Sequence, residues 1–154
     1  YDRVSVETMQ TRIENTSKKY TWLVYEEQGE VIAYAYANLW RERVAYKHVL
    51  ETTIYASHTM TTKGVGTKLY QALFDAIESY PETDNIKTLM GVIALPNDVS
   101  VALHKKMGFV EKGYFKEVGR KFDQWIDVAY YQKDLYFYNF CWYNLNLLTH
   151  LFQK

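Results

Sequence analysis

Ile54-Tyr55-Ala56-Ser57, a short polar run, and then Lys63-Gly64-Val65-Gly66-Thr67 is the stretch that decides the fold. It reads as a strand that feeds a glycine turn and becomes a helix N-terminus. The first amides of such a helix lack intrahelical acceptors and point outward, with the helix dipole behind them. Phosphate oxygens fit there without a charged side chain. Glycine suits the turn because the backbone must come close to the anion, where a Cβ would intrude. A Gly-x-Gly alone also marks ordinary turns, so its neighbours carry the decision.

Outward from this stretch the chain alternates. Met9 and Ile13 at helical spacing predict a helix over 6–19. β-rich runs at 21–26 and 31–40, joined through Gln28-Gly29, predict a hairpin, and 48–57 reads as the next strand. Val65, Leu69, Leu73, Phe74 and Ile77 fall on one face of a helix over 64–79 that packs on a sheet, and Pro81 lies beyond its end. An apolar strand follows at 86–94. Asn97 or Asp98 caps a short helix running to Lys106, and Gly108 releases the chain into strands near 109–118 and 125–135. No repeat or linker divides this pattern, which predicts an α/β mixed twisted sheet with helices on both faces.

Composition narrows the classes. A chain of 154 residues can bury a real core as one domain. Lys and Arg total 18, as do Asp and Glu, so the basic excess of a nucleic-acid surface is missing. One cysteine, Cys141, excludes an internal disulfide framework and suits a reducing cytosol. No signal-peptide pattern opens the chain, so a cytoplasmic location is expected. His48 and His58 form no metal spacing with each other or with Cys141, and no catalytic metal is expected. Fifteen tyrosines suggest strands and a wet, aromatic-lined groove.

The specific signal is a set of motifs in order. They begin with Tyr20-Thr21-Trp22-Leu23-Val24, the run from Gly29 to Tyr36, and Arg43-Val44-Ala45-Tyr46. Thr61-Thr62-Lys63-Gly64-Val65-Gly66 comes next, then Leu95-Pro96-Asn97-Asp98-Val99-Ser100 with His104, then Lys106-Met107-Gly108-Phe109 and Trp125-Ile126-Asp127-Val128. Together they resemble the GCN5-related N-acetyltransferase (GNAT) superfamily, and within it the phosphinothricin acetyltransferase branch. The resemblance covers residues 1–135. It implies the GNAT fold, with an N-terminal strand and helix that these 154 residues do not include. The aromatic stretch 136–154 has no counterpart and reads as an extension. Its asparagines make it a poor membrane span, so membrane contact is not expected.

The resemblance also implies roles. Acetyl-CoA would be the cosubstrate and a small-molecule amine the acceptor. Ile54, Tyr55 and Ala56 would pair with the pantetheine arm through their backbone, and Thr62, Lys63, Gly64, Val65, Gly66 and Thr67 would surround the pyrophosphate. Asn97 would meet the pantetheine, with Ser100 supporting it; both also read as helix-capping residues. Glu51 would be the general base, although its ordinary pKa lies far below that of an alkylammonium. The same residue reads equally as an exposed strand-end carboxylate. His104 stands where the superfamily has a tyrosine thought to protonate the departing thiolate, and it also reads as a core histidine. Arg43 with Tyr46 would clamp an acceptor carboxylate in two parallel hydrogen bonds, with Arg41 a second candidate. Two positions depart from the branch: Thr61 replaces a long polar residue, and Ile126 replaces a histidine. The implied acceptor is an amino acid or an analogue such as phosphinothricin or methionine sulfoximine or sulfone. A polyamine, aminoglycoside or peptide terminus, or a non-catalytic CoA sensor, stays open. A homodimer is expected, because dimers are common in the branch and the aromatic end supplies apolar surface.

Overall fold

The computed structural model describes residues 4–58, 62–79 and 85–135. The expectations for Thr61, Pro81, Cys141 and the 136–154 extension lie outside the described residues. Helix α1 (Val6–Ser17) starts at Ser5, whose side chain accepts from the Thr8 amide. Strands β1 (Trp22–Glu27) and β2 (Glu30–Leu39) form the predicted hairpin. Gln28 and Gly29 both hold positive φ, 54° and 84°, the conformation that lets a two-residue turn follow the sheet twist. A single 3₁₀ turn, Val44–Tyr46, leads into β3 (Val49–Ala56). Then come α2 (Val65–Ser79), β4 (Thr88–Leu95), α3 (Asp98–Lys106), β5 (Val110–Lys121) and β6 (Gln124–Asp134).

The six strands lie in the order β1-β2-β3-β4-β6-β5. All neighbours are antiparallel except β3 and β4, which run parallel. Strand alternation separates two faces. Ala33, Ala35 and Ala37 of β2 join one buried cluster with Val65, Leu69, Leu73 and Ile77 of α2. Small residues on the strand let the helix approach closely. Tyr34, Tyr36 and Asn38 point the other way, where the Thr16 hydroxyl of α1 meets Asn38 Oδ1 at 3.2 Å. Helices therefore cover both faces, as the pattern predicts. Leu50, Leu73 and Leu89 are 0% exposed, and each such side chain contributes about 1.5–3 kcal/mol of burial. Tyr70 also sits on the buried face of α2, although the apolar count does not include it.

One feature of this sheet positions the site. Strands β3 and β4 pair at Val49↔Thr88, Leu50↔Leu89 and Glu51↔Met90 and nowhere further. Yet β3 continues to Ala56 and β4 to Leu95. Past Glu51 and Met90 the two strands offer unshared backbone edges to the gap between them.

Candidate active site

The gap opens toward the N-terminus of α2. The Lys68 amide is bonded to the Gly64 carbonyl at 3.0 Å, so the amides before it stand at the helix mouth. Gly64 holds φ +81°, and a Cβ there would meet nothing within 4 Å. Gly66 has a packing reason to be small as well as the one the sequence suggests. A Cβ there would come within 2.9 Å of Leu103 Cδ2, so α3 is what presses on it. Lys63 is exposed, and Thr67 is half-buried in the first turn of α2. The Thr62 hydroxyl donates to the Glu27 carboxylate at 2.8 and 3.0 Å, which ties this loop to the end of β1.

Of the strand residues expected at the cosubstrate, Ile54 packs partly on the core, while Tyr55 is 56% exposed. Ala56 is exposed at the end of β3. On the far side of the gap, the Asn97 side-chain oxygen accepts from the Ser100 amide at 3.1 Å and caps α3. The cap uses only the Asn97 oxygen and leaves its amide NH₂ group out of that bond. Capping and ligand contact are thus compatible in one residue.

Glu51 stands at the root of the gap, half-buried, in register with Asn38 and Met90. Burial pushes its carboxyl above the ordinary glutamate range, and the Arg41 guanidinium partly opposes this. The same sheet face carries packed aromatic rings, Trp22 stacked on Tyr36 and Tyr34 tilted against Tyr55. Trp22 and Tyr36 lie 4.2 Å apart at 3°, and Tyr34 and Tyr55 lie 5.2 Å apart. They are the aromatic lining that the tyrosine content suggests.

Beyond the end of β2, Trp40, Arg41, Glu42, Arg43 and Tyr46 line a cavity of about 470 Å³. The Arg41 guanidinium lies 4.5 Å over the Trp40 ring, and Tyr46 meets that ring edge-on at 5.5 Å. Arg43 and Tyr46 therefore share one cavity with Arg41, whose charge also reaches Glu51. Trp40 is the organiser that sequence reasoning missed. Its position directly before a charged loop is the signal that could have found it.

His104 is placed differently from the other candidates. It is 3% exposed, beneath the sheet. Its Nε2 lies 2.8 Å from the Tyr70 hydroxyl and its Nδ1 2.8 Å from the Ser100 carbonyl. Burial lowers its pKa. An acid for a departing thiolate needs an open path to sulfur, and both ring nitrogens of His104 are already engaged. Ile126 lies across from Gly119 in the β5–β6 pairing, where its side chain fills the space a Cβ on Gly119 would need.

Residues 1–130 match the acetyltransferase (GNAT) domain family. The chain is 38% identical over 122 residues to a phosphinothricin N-acetyltransferase of Streptomyces viridochromogenes, covering 79% of this chain and 64% of that protein. It is 30% identical over 107 residues to an L-methionine sulfoximine/L-methionine sulfone acetyltransferase of Pseudomonas aeruginosa, covering 70% and 60%. A phosphinothricin acetyltransferase of Sinorhizobium meliloti, solved in complex with acetyl-CoA, superposes with a TM-score of 0.76 at 32% identity, covering 85% of this chain and 70% of that one. The chain thus spans less than two thirds of the length of these two sequence relatives.

Proposed function

This chain belongs to the GNAT acetyltransferase family, and from that premise we propose that it moves an acetyl group from acetyl-CoA to the amine of an amino acid or amino-acid analogue. Relatives named for phosphinothricin and methionine sulfoximine support that acceptor class. The observation that carries the reading is the break in β3–β4 pairing after Glu51↔Met90, facing the N-terminus of α2. An extended amide-bearing arm can pair with the free edge of β3 at Ile54, Tyr55 and Ala56, while phosphates meet the amides at residues 62–67.

The cosubstrate supplies an activated thioester; the protein supplies position and proton handling. Asn97 offers its amide group across the gap, and Ser100 holds Asn97 in place. Glu51 accepts the proton of the acceptor ammonium, directly or through water. Its burial is the tuning such a base needs, because a raised carboxyl pKa narrows the gap to the ammonium. Arg43, with Tyr46 beside it, receives the acceptor carboxylate, and Arg41 balances the corner. His104 has no proton-transfer step in this scheme. A reducing compartment such as the cytoplasm suits a sequence with a single cysteine.

The test is turnover of acetyl-CoA with a panel of amino acids and their decarboxylated amines. Losing one charge-assisted contact costs about 1.5–3 kcal/mol, roughly tenfold to a hundredfold in kcat/KM. The parent should prefer the amino acid by that factor, and Arg43→Ala should erase the preference. Equal kcat/KM for both members of each pair would move the assignment to a polyamine or another cationic acceptor.

A further inference from the structure

The gap has a buried polar tie at its root that the reaction scheme leaves unused. Thr52 follows directly on the last paired residue of β3, and its hydroxyl donates to the Met90 carbonyl of β4 at 3.2 Å. That hydroxyl has one hydrogen, shared between the Met90 carbonyl and the Tyr70 phenol oxygen of α2, which leaves the Tyr70 hydrogen free to be given onward. Tyr70 continues to His104 of α3, and His104 returns to the Ser100 carbonyl in the turn that holds Asn97. Thr52, Tyr70 and His104 are 3%, 0% and 3% exposed, so these bonds have no water to replace them. The partners assign the tautomer: a carbonyl only accepts, so Nδ1 carries the hydrogen and Nε2 accepts from Tyr70. The ring cannot swing away. Phe109 packs against it at 5.1 Å and Tyr131 at 6.1 Å. A methyl group on Gly91 would sit 2.5 Å from its Cδ2 and 2.6 Å from its Nε2, so Gly91 leaves the space the imidazole fills.

We propose that Thr52, Tyr70 and His104 are positioning residues that set how far β3 and β4 stand apart and where Asn97 is held, and so govern affinity for the cosubstrate without touching it. The tie links β3, β4, α2 and α3 at the one place where the backbone ladder ends. Side-chain bonds there replace the strand pairing that a cleft must give up. The proposal rests on the acetyl-CoA reading above only for the identity of the ligand.

The experiment measures the Kd of CoA by calorimetry, and kcat at saturation, for Tyr70→Phe, His104→Ala, His104→Gln and Gly91→Ala. Tyr70→Phe removes one hydroxyl and keeps the ring, so it should fold and bind CoA roughly tenfold more weakly, with kcat changed less than about threefold. His104→Ala should show a comparable loss. His104→Gln, which can place an acceptor near Tyr70, should recover most of it. Gly91→Ala should weaken binding in the parent but add little in the His104→Ala background, because the ring it displaces is already gone. If His104→Ala does not fold, Tyr70→Phe and Gly91→Ala decide. Folded Tyr70→Phe binding CoA with the parent Kd overturns the proposal. A parent that binds CoA but acetylates no amino acid sinks the acceptor assignment and leaves the tie standing. A parent that binds no CoA overturns both.

Discussion

At Glu51 the proposed base role and a stability cost fall on one residue. Its carboxyl is held above the ordinary range by burial, so the folded state binds its proton more tightly than the unfolded chain does. Stability must then fall as pH rises from the ordinary glutamate pKa through the raised one. Glu51→Gln should therefore raise the melting temperature at neutral pH relative to the parent, while acting little below pH 4. The same substitution should depress turnover near neutrality more than it weakens CoA binding. The loss should shrink at high pH, where more acceptor is already free amine. A pH–rate profile that matches the parent in shape and height removes Glu51 from the mechanism. The sequence alone left this residue balanced between a strand-end carboxylate and a base. The resemblance favours the base, and the structure adds its place at the root of the gap, which depends on β4 meeting β3 from far along the chain.

At the scale of elements, the two glycines ahead of and within α2 have separate jobs. Gly64 turns the chain with positive φ and has open space around it. Gly66 admits α3 through Leu103. Substitution at Gly64 is thus the cleaner probe of the pyrophosphate loop. Gly64→Val places a β-branched residue in the left-handed region, a strain of roughly 1–2 kcal/mol, without striking a neighbour. The folded variant should bind CoA at least roughly tenfold more weakly, because the strain and the added side chain both fall where the anion must approach. Unchanged CoA affinity in the folded variant would sink the placement of the pyrophosphate at residues 62–67. Element positions were legible from local pattern. The hairpin turn at Gln28-Gly29, the apolar face of α2 and the Asn97 cap are each written in a few adjacent residues. The long β5–β6 hairpin was legible only in outline. Its register shifts between Phe115 and Gly119, and Glu117 adopts φ 55°. The Asp127 carboxylate stabilises this bulge, taking the Glu117 amide at 2.8 Å and the Tyr114 hydroxyl as well. No local pattern announces a partner on the opposite strand.

At the scale of the whole molecule, the hairpin carries several exposed apolar side chains. Tyr114, Phe115, Val118, Phe122 and Trp125 are 53%, 49%, 59%, 70% and 61% exposed. Apolar groups gathered at one end of a sheet favour association with a second copy, and we propose a homodimer that buries them. Light scattering should give twice the chain mass, and Phe122→Glu with Trp125→Glu should return it to the monomer mass while leaving the fold intact. A concentration-independent monomer in the parent refutes the dimer. Among the described residues no helix is long and apolar enough to cross a membrane. By itself the sequence determined the α/β class, the order of the elements and the family, because periodicity, turn chemistry and ordered motifs are local and survive without a third dimension. Only the tertiary structure decided which side chains share a site. Strand pairing brings Glu51 beside Met90 and ends there, the loop after β2 gathers Trp40, Arg41 and Arg43 around one cavity, and helix packing buries His104 against Tyr70. Each of those outcomes depends on contacts between residues far apart in the chain, and burial, which decides whether a carboxyl or an imidazole keeps its proton, exists only once those contacts have formed.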